Sequence, residues 1–181
     1  MSKIEIRPFQ LEHQEKLSEH FQRHRAESGK NGIHFMPFAP DDADGPRGIT
    51  LEKVSLDIDQ PGWQRWFCAH DTETGLIIGH VDIKSDPLRS GFHRCELGIG
   101  IEEPYRNIGL GRKLMMEAIH FVRDCQTIQW IDLKVFANNK PARSLYKDMG
   151  FIEVGTITDR FRIDSQCIDD VIMTLHVSDR V

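Results

Sequence analysis

The chain has 181 residues, 39% of them hydrophobic and 28% charged, a balance that suits one globular domain over 1–181 and excludes disordered and fibrous classes. Lys and Arg number 23 against 28 Asp and Glu, a net charge of −5, which disfavours a general nucleic-acid binder because that class carries a basic excess. No apolar run approaches the roughly 20 residues of a membrane-spanning helix, and the amino-terminal stretch lacks the apolar core of a signal peptide, so the sequence predicts a cytoplasmic protein with no membrane partner.

In chain order, Ile4 and Ile6 alternate with Glu5 and Arg7, which predicts a first strand ending near Pro8. Leu11 to about Arg25 is charged around Leu11, Leu17 and Phe21 and reads as an exposed helix. His20 and His24 lie one turn apart on it, and with no third ligand in view they read as part of its solvated face. Residues 27–48 are rich in Gly, Pro and Asp and predict a long functional loop carrying His34, Phe35, Met36 and Phe38. Residues 49–58 give an ambiguous pattern that admits a short helix, and Pro61-Gly62 then breaks the chain.

Strand signals follow. Trp66, Cys68 and His70 alternate with Arg65, Phe67 and Ala69; after a turn at 71–75, Val81 and Ile83 alternate with His80 and Asp82. The pair predicts a hairpin. Next, Cys95, Leu97, Ile99 and Ile101 alternate with Arg94, Glu96, Gly98 and Gly100, a strand with one apolar face and one bare face. Past Pro104 the period becomes helical: Leu110, Leu114, Met115, Ala118, Ile119 and Val122 form one stripe on a helix running to about Cys125. Ile131, Leu133 and Val135 mark another strand. Pro141 suits the first turn of a further helix, striped by Ala142, Leu145, Tyr146 and Met149 and stopped by Gly150. Residues 151–163 and 167–176 read as two strands around Asp164-Ser165-Gln166. That order predicts one α/β domain on a mixed sheet. Cys68, Cys95, Cys125 and Cys167 are widely spaced with no CxxC pair, so neither a disulfide framework nor a metal site is expected.

The strongest chemical signal is ELGIGIEEPYRNIGLGRKLMMEAI, from Glu96 to Ile119: a strand, a short turn, a Gly-x-Gly and a long amphipathic helix. Free N–H groups at a helix start attract anions, and glycines allow close approach. Two basic islands, 105–114 and 138–147, stand out in an otherwise acidic chain and suggest a local anionic ligand such as a pyrophosphate. A Walker loop would require Gly-Lys-Ser/Thr, but Gly111 precedes Arg112-Lys113-Leu114; a Rossmann fingerprint would require a small residue where Leu114 stands.

At these residues the sequence resembles the GNAT superfamily of N-acetyltransferases, through Arg106-Asn107-Ile108-Gly109-Leu110-Gly111 and a second signature of Asn139, Ala142, Leu145-Tyr146 and Gly150-Phe151. The resemblance implies a mostly antiparallel sheet of about six or seven strands flanked by helices. It implies an acetyl-CoA-dependent enzyme that acetylates a primary amine by direct attack in a ternary complex. A small amine such as an amino acid is favoured over a protein N-terminus, and the rival is a non-catalytic acyl-CoA sensor. Homodimers are common in the family. Main-chain groups of Ile99, Gly100 and Ile101 would pair with the pantetheine arm, the bare glycines leaving room. Arg106, Asn107, Ile108, Gly109, Leu110, Gly111 and Arg112 would cradle the pyrophosphate. Asn139 would reach the cofactor, and Tyr146 would sit near the sulfur and protonate the leaving thiolate. Glu96 is the first candidate base, with His80 and Asp82 next; Phe35 and Phe38 are candidates for the acceptor pocket.

Overall fold

The computed structural model describes residues 3–39 and 51–177. Its strands are β1 (Ile4–Pro8), β2 (Gln64–Asp71), β3 (Ile77–Ser85), β4 (Arg94–Ile101), β5 (Trp130–Phe136), β6 (Ile152–Ile163) and β7 (Gln166–His176). Its helices are α1 (Gln14–Arg25), α2 (Leu51–Ser55), α3 (Leu110–Asp124) and α4 (Lys140–Asp148). The elements follow the predicted order. Of the predicted loop, 40–48 lie outside the described residues, as do the first two residues of the predicted helix at 49–58.

All seven strands join one sheet in the order β1-β2-β3-β4-β5-β7-β6. Every pairing is antiparallel except β4 with β5. A parallel pair needs a long crossover, and α3 supplies it. The α3 stripe predicted from periodicity is buried throughout: Leu110, Leu114, Met115, Ala118, Ile119 and Val122 pack on Ala69, Val81, Ile83 and Leu97 of the sheet. Each large apolar side chain so buried contributes about 1.5–3 kcal/mol, so packing fixes this helix more firmly than propensity does.

Helix α1 covers the other face through Leu17, which packs with Trp66, Cys68 and Ile77. It is less exposed than its charge suggests. His20 and His24 are 0% and 5% exposed, which overturns their assignment to a solvated face. Periodicity failed at His20 because it has polar partners inside, and at His24 because the ring packs on Phe35 with its Nδ1 buried and without a hydrogen-bond partner among the described residues. His20 Nδ1 lies 2.7 Å from Glu102 Oε1, and its Nε2 lies 2.9 Å from His80 Nδ1. A buried polar group with partners escapes most of the burial penalty.

One irregularity makes the site. β4 and β5 pair only from Arg94, Cys95 and Glu96 to Trp130, Ile131 and Asp132. Beyond Glu96 the strands part, and among the described residues the β4 edge from Leu97 to Ile101 has no strand partner on that side.

Candidate active site

A cavity of about 390 Å³ fills the gap where β4 and β5 part. It is lined from the α1 side by His24, Glu27 and Phe35, along β4 by Ile99, Gly100 and Ile101, and from the opposite face by the start of α3 and by α4. It therefore reaches both faces of the sheet.

The start of α3 forms one end. Gly109 is the N-cap, at φ +81°, and no side chain caps the helix. Asn107 is also left-handed, at φ 62°. A Cβ on Gly109 would meet nothing of the described residues within 4 Å, so this glycine is required by its dihedral angle and not by crowding. The main-chain N–H groups of Asn107, Ile108, Gly109, Leu110, Gly111 and Arg112 have no acceptor among the described residues. Free donors at the positive end of a 15-residue helix make an anion site. Arg106, Asn107, Gly109, Gly111 and Arg112 line the cavity directly, whereas Ile108 and Leu110 are absent from its wall.

Arg106 does not point free into that end. It donates from Nε to Ile101 O at 2.8 Å and forms an ion pair with Glu27. Phe35 stacks against His24, with ring centroids 4.5 Å apart, and also meets the Arg106 guanidinium. Glu27 accepts the Glu103 N–H at 3.0 Å. Sequence reasoning missed Glu27 and His24 as cavity residues; no local motif marks them, because α1 reaches the cavity only through the tertiary fold. Phe38 departs from its expected place: it packs under the Arg25 guanidinium, 4.6 Å away, outside the cavity wall. The second basic island is turned elsewhere, since Arg143 and Lys147 both pair with Glu153.

α4 closes the opposite end. Asn139 caps it, Oδ1 accepting the Ala142 N–H at 3.3 Å, and Asn139 also faces the cavity. Tyr146 is 7% exposed on the cavity wall, and burial pushes its phenol up from the ordinary value. Its hydroxyl has no partner among the described residues.

The bare face of β4 is not empty space. A Cβ on Gly98 would lie 2.5 Å from Asp82 Oδ1, and one on Gly100 would lie 2.6 Å from His80 Cε1 and 2.7 Å from His24 Nε2. The glycines make room for these side chains, not only for an approaching ligand. Burial and the neighbouring His20 hold His80 and His24 below the usual imidazole range, His24 at about 3, so both are neutral at pH 7. Burial likewise raises the Asp82 carboxyl to about 6. Glu96, His80 and Asp82 are all absent from the cavity wall, whose nearest residue on this face is Gly100. Glu96 sits between Lys84 Nζ at 2.8 Å and Lys134 Nζ at 3.2 Å. Burial raises its carboxyl, but the two lysines outweigh that and hold it below the ordinary range. Among the described residues, no group of three or more His, Cys, Asp or Glu is arranged to hold a metal ion. Nor is any helix long and apolar enough to cross a membrane.

A family model described as the acetyltransferase (GNAT) family matches residues 35–151, more than half of the chain. The chain is 33% identical over 100 residues to the L-amino acid N-acetyltransferase AaaT of Escherichia coli (strain K12), covering 54% of this chain and 59% of that protein. It is 30% identical over 114 residues to the ribosomal protein uS5 alanine N-acetyltransferase of the same organism, covering 63% and 58%. The match thus spans about three fifths of the length of these relatives. Among solved structures, an acetyltransferase of the GNAT family from Streptococcus pneumoniae superposes with a TM-score of 0.80 at 24% identity, over 97% of this chain and 100% of that one. The yncA protein of Salmonella typhimurium, solved with its cofactor acetyl-CoA, superposes with a TM-score of 0.77 at 14% identity, over 99% and 97%. At these identities the structural likeness speaks for the fold.

Proposed function

Because the chain belongs to the acetyltransferase (GNAT) family, we propose that it moves an acetyl group from acetyl-CoA to a primary amine, as one catalytic domain and by direct attack in a ternary complex. The observation that carries this reading is the uncapped N-terminus of α3, opening on a cavity that runs along the unpaired edge of β4 to Tyr146. The free N–H groups at 107–112 bind the pyrophosphate, and the helix dipole adds roughly 0.3–1 kcal/mol per favourable charge. The β4 edge at Ile99–Ile101 offers main-chain groups to the amides of the pantetheine arm, as a neighbouring strand would. Phe35, on the cavity wall, remains a contact for the substrates.

Tyr146 holds the proton that the departing thiolate takes up. Its raised pKa does not spoil the role, because the same dry surroundings raise the thiol as well, and the two groups ordinarily differ by only about one or two units. The acceptor we favour is a free amino acid or similar small amine, and a protein N-terminus competes with it; both acceptors occur in the names of the relatives above. A protein N-terminus presents an α-amine of pKa about 8, which costs only about 1–1.5 kcal/mol to neutralise at pH 7, against roughly 4–5 kcal/mol for a lysine-like amine. The amine of a free amino acid is more basic than an N-terminus, because its own carboxylate stabilises the ammonium. The four free thiols suit the reducing cytoplasm, where we place the reaction.

A thiol-release screen with acetyl-CoA against amino acids, polyamines, aminoglycosides and N-terminal peptides tests the reading. Turnover is expected with free α-amines. Binding of acetyl-CoA with no thiol release from any acceptor would instead leave a non-catalytic acyl-CoA sensor.

A further inference from the structure

The attacking nitrogen must lose a proton, and the bare face of β4 offers several groups to take it. We propose that Asp82, seated over Gly98 on the strand next to the opening, is the base that accepts this proton, and that Glu96 is not. The inference rests on the transfer reaction proposed above.

The argument is geometric first. Glu96 is the last β4 residue paired with β5, and Gly98 is the next residue on the same face, at the point where the strands have parted. Asp82 lies directly across from Gly98 in the register of β3 and β4. Its Oδ1 occupies the space a side chain at Gly98 would fill, 2.5 Å from that Cβ position. Its Oδ2 is fixed by Gln64 Nε2 at 2.9 Å, and Oδ1 has no hydrogen-bond partner among the described residues. One oxygen is held and the other is free.

Two of the rivals, Glu96 and His80, are occupied, and the third, His24, is held at about 3 by burial and by His20. The Glu96 carboxylate is divided between Lys84 and Lys134, and a carboxylate in two ion pairs is a poor proton acceptor. His80 is 5% exposed, with Nδ1 tied to His20. Its basicity is lowered far below that of a free imidazole, whereas burial moves Asp82 toward the working pH, where a general base acts best. The groups acting on Asp82 are Gln64 from β2, Lys84 on its own strand and Glu96 from β4.

The step balances. The lone pair of a neutral amine forms the C–N bond to the carbonyl carbon, and the C–S bond breaks with its electron pair staying on sulfur. The proton shed by nitrogen goes to Asp82 Oδ1, and the thiolate takes the Tyr146 proton. Asp82 then releases one proton to water and Tyr146 recovers one. Asp82 must be ionised to act, so kcat falls as the pH drops through about 6.

The test is the pH profile of kcat for wild type, Asp82→Asn, Asp82→Glu and Gly98→Ala, with acetyl-CoA affinity measured for each. Asp82→Asn is expected to lower kcat by about 10²-fold or more and to abolish the acid limb, with acetyl-CoA affinity unchanged. Asp82→Glu keeps the limb and recovers part of the rate. Gly98→Ala displaces the carboxylate and slows turnover by about 10-fold or more while keeping the limb. An Asp82→Asn enzyme with the wild-type rate and acid limb overturns the assignment and leaves the transfer reaction standing. A wild type that transfers to no amine overturns both.

Discussion

The anion end of the cavity and the bare face of β4 beside it are made in different ways. The anion end comes from six successive main-chain N–H groups, placed by one glycine turn and the helix that follows it. The bare face of β4 instead gathers side chains from separate elements: Asp82 and His80 on β3, Glu96 on β4 itself, and His24 on α1, of which His24 reaches the cavity wall. A main-chain site of consecutive residues depends on local dihedral angles, so a single substitution should tune its affinity. A side-chain site spread across strands depends on protonation and position, so a single substitution should change its rate.

Tyr146→Phe is the largest test of that division at the α4 end of the cavity. Loss of a general acid is expected to lower kcat by about 10²-fold, which is near 2.7 kcal/mol, with KM for acetyl-CoA unchanged. Because the hydroxyl has no partner among the described residues, its removal orphans none of them, and the melting temperature should hold. Steady-state kinetics beside a thermal melt separates the two, and an unaltered kcat would remove the acid role.

The next test asks whether the buried polar cluster behind Gly100 is part of the scaffold. Burial raises the Glu102 carboxyl, but hydrogen bonds from His20 and Arg23 win and hold it below the ordinary range. Glu102→Gln should lower stability by about 2 kcal/mol, a fall in Tm of roughly 4–8 °C at this chain size. A carboxylate with a depressed pKa stabilises the fold above its unfolded value, and that contribution disappears as the pH falls through its folded value. The gap between wild type and variant in thermal melts should therefore close below about pH 4, near the usual Glu value. A gap that persists in strong acid would place the effect in packing.

Much of the fold was legible because its signals are local. The α3 stripe, the Pro141 helix start and the alternation in β4 each follow from spacing along the chain, and the structure contains all three elements. The turn at 107–111 was equally open to reading, since Gly109 and Gly111 stand beside Arg106 in sequence. His20 misled because its partners, His80 and Glu102, lie 60 and 82 residues away in sequence, and His24 because nothing local says that it packs over Gly100. Gly98 and Gly100 were read as room for a ligand, because nothing local says that Asp82, His80 and His24 fold against them.

Gly109→Val tests the anion end by backbone conformation alone. The left-handed φ of +81° is strained for a β-branched residue, at about 1–3 kcal/mol, yet a Cβ there would meet no atom of the described residues within 4 Å. Relief of that strain shifts the turn and misaims its amides. Calorimetry should show acetyl-CoA binding weakened by about tenfold, near 1.4 kcal/mol. Once acetyl-CoA is saturating, kcat should remain within about a factor of two, as expected when uniform binding alone is lost. A loss of kcat at saturation would mean that the two regions are coupled and the division fails.

The smallest expected effect sharpens the comparison most. Glu96 stands beside Asp82 on the same sheet face and carries the same charge, but it is the carboxylate that two lysines already hold. Such half-exposed pairs are worth about 0–1 kcal/mol, so Glu96→Gln should change kcat by no more than about threefold, through a small shift in the field at Asp82. That field effect has a sign. Removing a negative charge near Asp82 makes its carboxyl easier to ionise, so the acid limb of the kcat profile should move to lower pH. The limb itself should remain. A Glu96→Gln enzyme that loses the limb and most of its rate would transfer the proton-accepting role to β4, and the free oxygen over Gly98 would then serve only to position the amine.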